Sequence, residues 1–223
     1  MKENQAKKAV LFDFDGTIAD TNQLIINSWQ YTFRKVFGQN GDEKEIIKTF
    51  GEPLTTSMKN LFPGRNTDEM IAIYREYQYD NFDRDIDIFP GMRELVMKLK
   101  TSGYKTAIVT SRLKHTTLHG LELFGIRDYF DEVVTVEDCS EHKPMPGPAL
   151  TALEKLDVKP EESIMVGDSK FDVICANRAG ITSVLVDWAV AGEISTADGA
   201  DSDEGIAAYR ISKPMELMEI IGK

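Results

Sequence analysis

The stretch AVLFDFDGTIAD, residues 9–20, decides the fold because a buried strand and a pair of acidic side chains meet within it. It begins with an apolar run typical of a central parallel strand, which is covered on both faces. Asp13 and Asp15 follow at the end of that run, directly before Gly16. Two carboxylates this close repel each other, unless a cation lies between them or one of them serves as an acid. We therefore expect a functional site at the end of the first strand.

The chain from about residue 87 onward alternates between strand-like and helical patterns. Helical patterns at 91–102, 113–124, 147–156 and 170–179 lead to the strand-like runs YKTAIVT, EVVTV, SIMVGD and TSVLVDW. A weaker final unit runs through YRIS to ELMEII. Such alternation predicts an α/β fold, with a doubly wound parallel sheet and right-handed crossovers.

Residues 20–86 show helical patterns alone. An apolar stripe recurs every three or four residues and predicts a first helix that ends near Phe37. Shorter helical stretches follow at 42–50, 54–62 and 67–82. We therefore predict an all-helical cap domain at 20–86, inserted into a core domain formed by 1–19 and 87–223.

Composition limits the possible functions. The chain has 223 residues and a net charge of −11, which argues against nucleic acid as a partner and requires a local cation to attract any phosphate substrate. There is no apolar run near the ~20 residues of a membrane span, and we expect neither a membrane partner nor a signal peptide. Cys139 and Cys175 stand in unrelated contexts, as expected of reduced thiols in a cytoplasmic protein. The acidic stretch 196–205 is interpreted as a solvated loop.

Polar residues stand at the carboxyl ends of three predicted strands: Asp13, Thr110 and Asp168. Ligands of open α/β sheets bind outside these strand ends, so we expect the three side chains to converge on one site. Asp13 and Asp168 could share a divalent cation with hard oxygen ligands, best suited to Mg²⁺. Asp172 lies one helical turn beyond Asp168 and could support the same ion.

The remaining candidates would bind and transfer a phosphoryl group. Lys143 would supply a compact positive charge, and Thr110 with the backbone N–H of Ser111 would donate hydrogen bonds to phosphate oxygens. These parts are typical of phosphoryl transfer. Asp13 would then be the nucleophile that forms an aspartyl-phosphate. Asp15 would be placed to hold a proton, giving it to the leaving group and later taking one from water.

Four short motifs in order, DFDGT, VTS, KP and GDSKFD, resemble those of the haloacid dehalogenase (HAD) superfamily. The helical insert after the first motif resembles that of its helical-cap subgroup. The resemblance implies a Rossmann-like core and a Mg²⁺ ion held by Asp13, the backbone carbonyl of Asp15, and Asp168. Dehalogenases of the superfamily lack the second aspartate, so Asp15 points to a phosphatase or a phosphomutase.

Within that group, the chain looks most like bacterial phosphoglycolate phosphatases and related pyrophosphatases. β-Phosphoglucomutase is the alternative, but its family usually has a histidine where this chain has Ile25 and a lysine where it has Leu113. Substrate specificity is expected in the cap at Gly51 and Glu52, with Arg65 as a further candidate.

We therefore expect a cytoplasmic, Mg²⁺-dependent phosphatase that hydrolyses a small phosphorylated metabolite or pyrophosphate, as a monomer or homodimer. The alternatives are a phosphosugar mutase and a phospho-accepting signalling switch. Receiver domains also place acidic residues, a threonine and a lysine at the edge of a parallel sheet. They lack an inserted cap and an acid two residues after the phosphorylated aspartate.

Overall fold

A computed structural model describes residues 6–189 and 205–222 of the chain. Its strands are β1 (Ala9–Phe12), β2 (Ala19–Asp20), β3 (Asp87–Ile88), β4 (Lys105–Val109), β5 (Glu132–Val134), β6 (Ser163–Gly167), β7 (Thr182–Val186) and β8 (Tyr209–Ile211). Its α-helices are α1 (Asn22–Phe37), α2 (Glu43–Ile47), α3 (Leu54–Leu61), α4 (Thr67–Asn81), α5 (Met92–Thr101), α6 (Lys114–Leu123), α7 (Gly147–Leu156), α8 (Lys170–Arg178) and α9 (Leu217–Ile221).

The central sheet has the strand order β5–β4–β1–β6–β7–β8, and every neighbouring pair in it is parallel. The doubly wound sheet predicted from the sequence is therefore confirmed. β1 lies in the middle, hydrogen-bonded to β4 on one side and to β6 on the other. This order brings the carboxyl ends of β1, β4 and β6 next to one another, which fixes where a site can form.

The sheet is covered on both faces, as the apolar character of β1 requires. Val10 and Phe12 point to one face, where they pack in a cluster with residues of α5, α6 and α9. Ala9 and Leu11 point to the other face and pack with residues of α7 and α8. All four side chains are fully buried, so β1 is a rigid base for the residues that follow it.

Helices α1 to α4 form the cap and have a hydrophobic core of their own. Trp29 is its centre: its ring stacks on Phe62 at 6.3 Å and meets Tyr74 edge-on at 5.0 Å. Met58 and Ile46 close the cluster and are almost fully buried. The helical cap expected from the sequence is thus present.

The cap joins the core through a two-stranded antiparallel ribbon, in which Ala19 pairs with Ile88 and Asp20 with Asp87. This ribbon was not predicted from the sequence, because two-residue strands carry no periodic pattern. One predicted domain boundary, 19/20, lies within β2 and the other, 86/87, lies directly before β3; both remain a prediction. Of the acidic stretch 196–205, residues 196–204 lie outside the described residues.

Candidate active site

Three strand ends deliver polar side chains to one edge of the sheet, as predicted. Asp13 follows β1, Thr110 follows β4 and Asp168 follows β6. All three are buried, with relative exposures of 7%, 4% and 6%. Burial of two carboxylates and a hydroxyl at a sheet edge costs free energy unless a partner or ligand compensates it, which marks this edge as the candidate site.

Lys143 is the cation of this cluster. It lies in the loop between β5 and α7 and is 5% exposed. Its Nζ is 2.8 Å from Asp13 Oδ1 in an ion pair, and it donates hydrogen bonds to Asp172 Oδ1 at 2.7 Å and to the Val109 carbonyl at 3.2 Å. A buried lysine with two carboxylates and a carbonyl around it is held in one position, facing the end of β1.

The buried charges shift one another's pKa values. Burial raises the pKa of Asp13 to about 7, although Lys143 acts in the opposite direction, and the charges of Asp172 and Asp15 add to the rise. The pKa of Asp168 is also raised well above its ordinary value, first by burial and then by the charges of Asp172, Asp13 and Asp15. Burial would lower the pKa of Lys143, but the ion pairs with Asp13 and Asp172 outweigh it and raise the pKa. This edge therefore has an excess of negative charge that further positive charge would relieve.

Asp13, Asp168 and Asp172 form a cluster that could hold a metal ion, since one carboxylate oxygen of each lies within 4.8 Å of the others. Oxygen ligands of this kind suit a hard divalent cation. Asp172 also has structural partners: its Oδ2 accepts hydrogen bonds from the backbone N–H and the hydroxyl of Ser169, which caps α8. Its position is thus fixed by the start of the helix.

Gly16 lets the chain pass close to Asp168. Its φ is +73°, and a Cβ built there would lie 2.0 Å from Asp168 Oδ2. A side chain at this position would require both a left-handed backbone and a displaced carboxylate. The glycine after Asp15 is therefore needed for the carboxylate cluster to form.

Asp15 is bound by an arginine that the sequence analysis did not consider. Arg112 donates to Asp15 Oδ1 from Nη2 at 2.8 Å and to Oδ2 from Nε at 3.0 Å. Burial would raise the pKa of Asp15, but the charge and hydrogen bonds of Arg112 outweigh it and lower the pKa. Asp15 is thus ionised in this arrangement, which differs from the expectation that it holds a proton.

Thr110 and Ser111 begin the loop that leads from β4 to α6. The Thr110 hydroxyl accepts a hydrogen bond from the Arg112 backbone N–H at 3.2 Å, and Ser111 is exposed. Both residues line the same cleft as Asp13 and Lys143. They lie just before α6, whose first backbone N–H groups lack helical partners, and such a loop suits an anion.

The cleft between the core edge and the cap has a volume of about 250 Å³. Gly51 and Glu52 line it from the cap, as expected, and Ser57 donates a hydrogen bond to the Glu52 carboxylate. Gly51 lies against the core: its φ is +78°, and a Cβ built there would be 2.7 Å from Ser169 Cβ. Arg65 is not part of this lining; its guanidinium lies over the Phe37 ring at 5.6 Å.

Two arginines of the cleft were missed from the sequence, Arg112 from the core and Arg75 from α4. Arg112 directly follows Thr110 and Ser111, so its place in the loop after β4 was a usable signal. Arg75 carries no such signal, because it is one charged residue among many on a cap helix and only the packing of α4 brings it to the cleft.

Among residues 6–189 and 205–222, no helix combines the length and the apolar character that crossing a bilayer requires. Cys139 and Cys175 are both free thiols.

Comparisons with known proteins agree with this architecture. The chain is 40% identical to a pyrophosphatase PpaX of Halalkalibacterium halodurans over 213 residues, 96% of each chain. It is 37% identical to a pyrophosphatase PpaX of Bacillus cereus over 183 residues, 82% of this chain and 84% of that protein. A haloacid dehalogenase-like hydrolase from Streptococcus pneumoniae superposes with a TM-score of 0.83 at 27% identity, covering 96% of this chain and 98% of that one.

The family model described as haloacid dehalogenase-like hydrolase matches residues 10–186, from β1 to the end of β7. That range includes the cap and every candidate site residue. The resemblance seen in the four motifs is thus confirmed, together with the fold and the enzyme class that it implied. The chain belongs to the haloacid dehalogenase-like hydrolase family.

Proposed function

We propose that this phosphatase of the HAD family uses Mg²⁺ and an aspartyl-phosphate on Asp13 to hydrolyse a small phosphorylated metabolite or pyrophosphate. The observation that carries the proposal is the position of Asp13 at the end of β1, 2.8 Å from Lys143 Nζ and facing the cleft under the cap. The relatives that are named pyrophosphatases support a phosphate-releasing reaction.

The residues present fit a divalent cation. Asp13, Asp168 and Asp172 offer oxygen atoms within 4.8 Å of one another. Burial, and after it the charges of the neighbouring carboxylates, raises the pKa values of Asp13 and Asp168, and a bound cation would offset both effects. The resemblance adds the backbone carbonyl of Asp15 as a further ligand. When bound, Mg²⁺ would keep these carboxylates ionised and offset negative charge on a phosphoryl group.

The first half of the reaction transfers the phosphoryl group to the protein. A carboxylate oxygen of Asp13 attacks phosphorus, the bond from phosphorus to the leaving oxygen breaks, and the electron pair stays on that oxygen. Lys143, Thr110 and Ser111 bind the phosphoryl oxygens, since all three line the cleft beside Asp13. Asp15, two residues further on, gives a proton to the leaving oxygen after it has separated from Arg112 and taken up a proton from solvent, since the paired carboxylate is ionised.

The second half releases phosphate. A water molecule attacks the phosphorus of the aspartyl-phosphate, its proton goes to Asp15, and the carboxylate of Asp13 is regenerated. Since Asp15 is paired with Arg112 in this structure, it must separate from that arginine to take part. The cap, touching the core through Gly51, would limit how much water enters.

Phosphatase activity is favoured over the mutase alternative by the lining of the cleft. Ile25 and Leu113 both face it, at positions where the mutase family usually has a histidine and a lysine. Apolar side chains offer no hydrogen bonds with which to hold and turn a sugar bisphosphate. The cytoplasmic location and the state of assembly, monomer or homodimer, remain predictions.

The test is Mg²⁺-dependent phosphate release from a panel of pyrophosphate, phosphoglycolate, β-glucose 1-phosphate, and common sugar and nucleoside phosphates. We expect strong release from at least one compound, lost with EDTA and in Asp13→Asn. No release from any compound, with β-glucose 1-phosphate converted to the 6-phosphate once a bisphosphate is added, would contradict hydrolysis and identify a mutase.

A further inference from the structure

The pairing of Arg112 with Asp15 leaves part of the guanidinium unused. Nε and Nη2 make the hydrogen bonds to the Asp15 carboxylate, at 2.8 to 3.1 Å. Among the described residues, the Nη1 group of Arg112 makes no hydrogen bond. A guanidinium has five N–H donors and prefers two-pronged contacts with carboxylate or phosphate oxygens. Arg112 therefore retains donors for a second anion while it holds Asp15.

The Arg112 side chain is fixed in place although it faces the cleft. It is only 6% exposed, and its guanidinium lies 5.9 Å from the centre of the Phe14 ring and 5.2 Å from that of Phe82. Phe14 follows Asp13 in the core, whereas Phe82 follows the last cap helix. A cation held between two buried rings has lost most of its hydration, so it binds an anion strongly.

The location of Arg112 relates it to the leaving group. Asp13 is the candidate acceptor of the phosphoryl group, and Asp15 is the candidate donor of a proton to the leaving oxygen. Since Arg112 contacts Asp15 directly and lines the same cleft, its guanidinium is next to the place where the leaving group must lie. A leaving group that is itself anionic would compete with Asp15 for this arginine.

We propose that Arg112 selects substrates whose leaving group is already anionic before the bond breaks, above all a second phosphate as in pyrophosphate. When such a substrate binds, Arg112 gives up its hydrogen bonds to Asp15 and forms hydrogen bonds to the anionic group instead. This inference rests on the proposed function. The exchange places the second phosphate on the guanidinium and frees the Asp15 carboxyl to face the bridging oxygen. When the phosphorus–oxygen bond breaks, the electron pair goes to the departing phosphate, whose charge Arg112 offsets. A group that carries no charge before the bond breaks, such as the nitrophenyl group of p-nitrophenyl phosphate, offers Arg112 no such exchange.

The experiment compares kcat/KM for pyrophosphate and for p-nitrophenyl phosphate in Arg112→Gln and Arg112→Lys. We expect Arg112→Gln to reduce kcat/KM for pyrophosphate by at least about 10-fold more than it reduces kcat/KM for p-nitrophenyl phosphate. Arg112→Lys keeps the positive charge but loses the planar guanidinium that can donate two parallel hydrogen bonds. Its reduction of kcat/KM for pyrophosphate should therefore be intermediate. Arg84→Gln is the matched control, because Arg84 pairs with Asp85 away from the cleft and both substrates should be unaffected.

Equal losses on the two substrates in a variant that melts like the wild type would overturn the proposal, since Arg112 would then act only by positioning Asp15. If Arg112→Gln fails to fold, the same comparison is made with Arg112→Lys: a larger reduction of kcat/KM for pyrophosphate than for p-nitrophenyl phosphate supports the proposal, and equal reductions overturn it.

A binding measurement separates this inference from the proposed function. In Asp13→Asn with Mg²⁺, titration calorimetry should show tighter binding of pyrophosphate than of orthophosphate, and adding Arg112→Gln should remove the difference. An unchanged difference would overturn the selection by Arg112. If the wild type releases no phosphate from any compound, the proposed function fails, and the calorimetry still decides whether Arg112 binds the second phosphate.

Discussion

The core edge and the cap interior differ in what they bury. At the core edge, Asp13, Lys143, Asp168 and Asp172 are each no more than 7% exposed. In the cap, the buried cluster around Trp29 consists of aromatic, aliphatic and methionine side chains. Apolar burial stabilises a fold by itself, whereas buried like charges do so only with a compensating cation. The difference indicates that the core edge is built for chemistry and the cap for covering it.

The largest expected effect is at the core edge, where Lys143→Met removes the lysine that pairs with Asp13 and Asp172. We expect kcat/KM for the best substrate to fall roughly 100- to 1,000-fold, because a cation aimed at the phosphoryl oxygens is lost. The free energy of unfolding should also fall by about 3–5 kcal/mol, because Asp13 and Asp172 lose their partner. Phosphate release and urea unfolding measure the two effects. Lys155→Met is the control, since Lys155 forms only a partly exposed ion pair with Glu132, and it should change neither quantity.

Trp29→Ala tests the cap interior, where we expect a loss of stability without a loss of Mg²⁺ binding. Loss of a buried indole that packs against Phe62 and Tyr74 should lower the free energy of unfolding by about 3–5 kcal/mol. The rise in melting temperature on adding Mg²⁺ should persist, because the carboxylate cluster lies outside the cap core. Calorimetry with and without Mg²⁺ measures both. Loss of the Mg²⁺ effect in this variant would show that the two regions are not separable.

Alanine substitutions at two glycines with the same backbone conformation separate the cost of backbone strain from the effect of displacing a carboxylate of the site. Gly16 has φ +73° and Gly38 has φ +72°, but only a Cβ on Gly16 would meet Asp168. Both alanine substitutions should cost about 1 kcal/mol of stability from the left-handed backbone. Gly16→Ala alone should weaken Mg²⁺ binding, by roughly 10- to 100-fold, because Asp168 must move. The increase in melting temperature with Mg²⁺ concentration reports that affinity, and equal affinities in the two variants would contradict the assigned role of Gly16.

The smallest effect concerns the contact between cap and core. Gly51 has φ +78° and lies against Ser169, whereas Gly64 has φ +76° and no heavy atom within 4 Å of its Cβ position. Gly51→Ala should hold the cap away from the core edge and reduce kcat/KM by up to about 10-fold. Gly64→Ala should leave it unchanged. Steady-state kinetics on the best substrate decides, and an unchanged kcat/KM in Gly51→Ala would argue against cap closure at this contact.

Much of the fold and part of the site were predictable from the sequence. The buried run at β1 and the alternation after residue 87 predicted the parallel sheet, because both follow from periodicity along the chain. The convergence of Asp13, Thr110 and Asp168 on one edge was predictable because the carboxyl ends of neighbouring parallel strands lie side by side.

The rest depended on tertiary contacts that no local pattern encodes. The ionisation of Asp15 could not be predicted, since it is set by Arg112, ninety-seven positions away along the chain. Arg75 reaches the cleft only through the packing of α4. The ribbon between cap and core was missed because each of its strands is two residues long.

The central claim, that Asp13 accepts the phosphoryl group, is tested most directly by mass spectrometry after rapid acid quenching of enzyme with Mg²⁺ and its best substrate. We predict that the peptide containing Asp13 gains the mass of one phosphoryl group, that fragmentation places the group on Asp13, and that Asp15→Asn increases the trapped fraction by slowing attack by water. Phosphate release without any phosphorylated peptide, or with the group on another residue, would contradict the account.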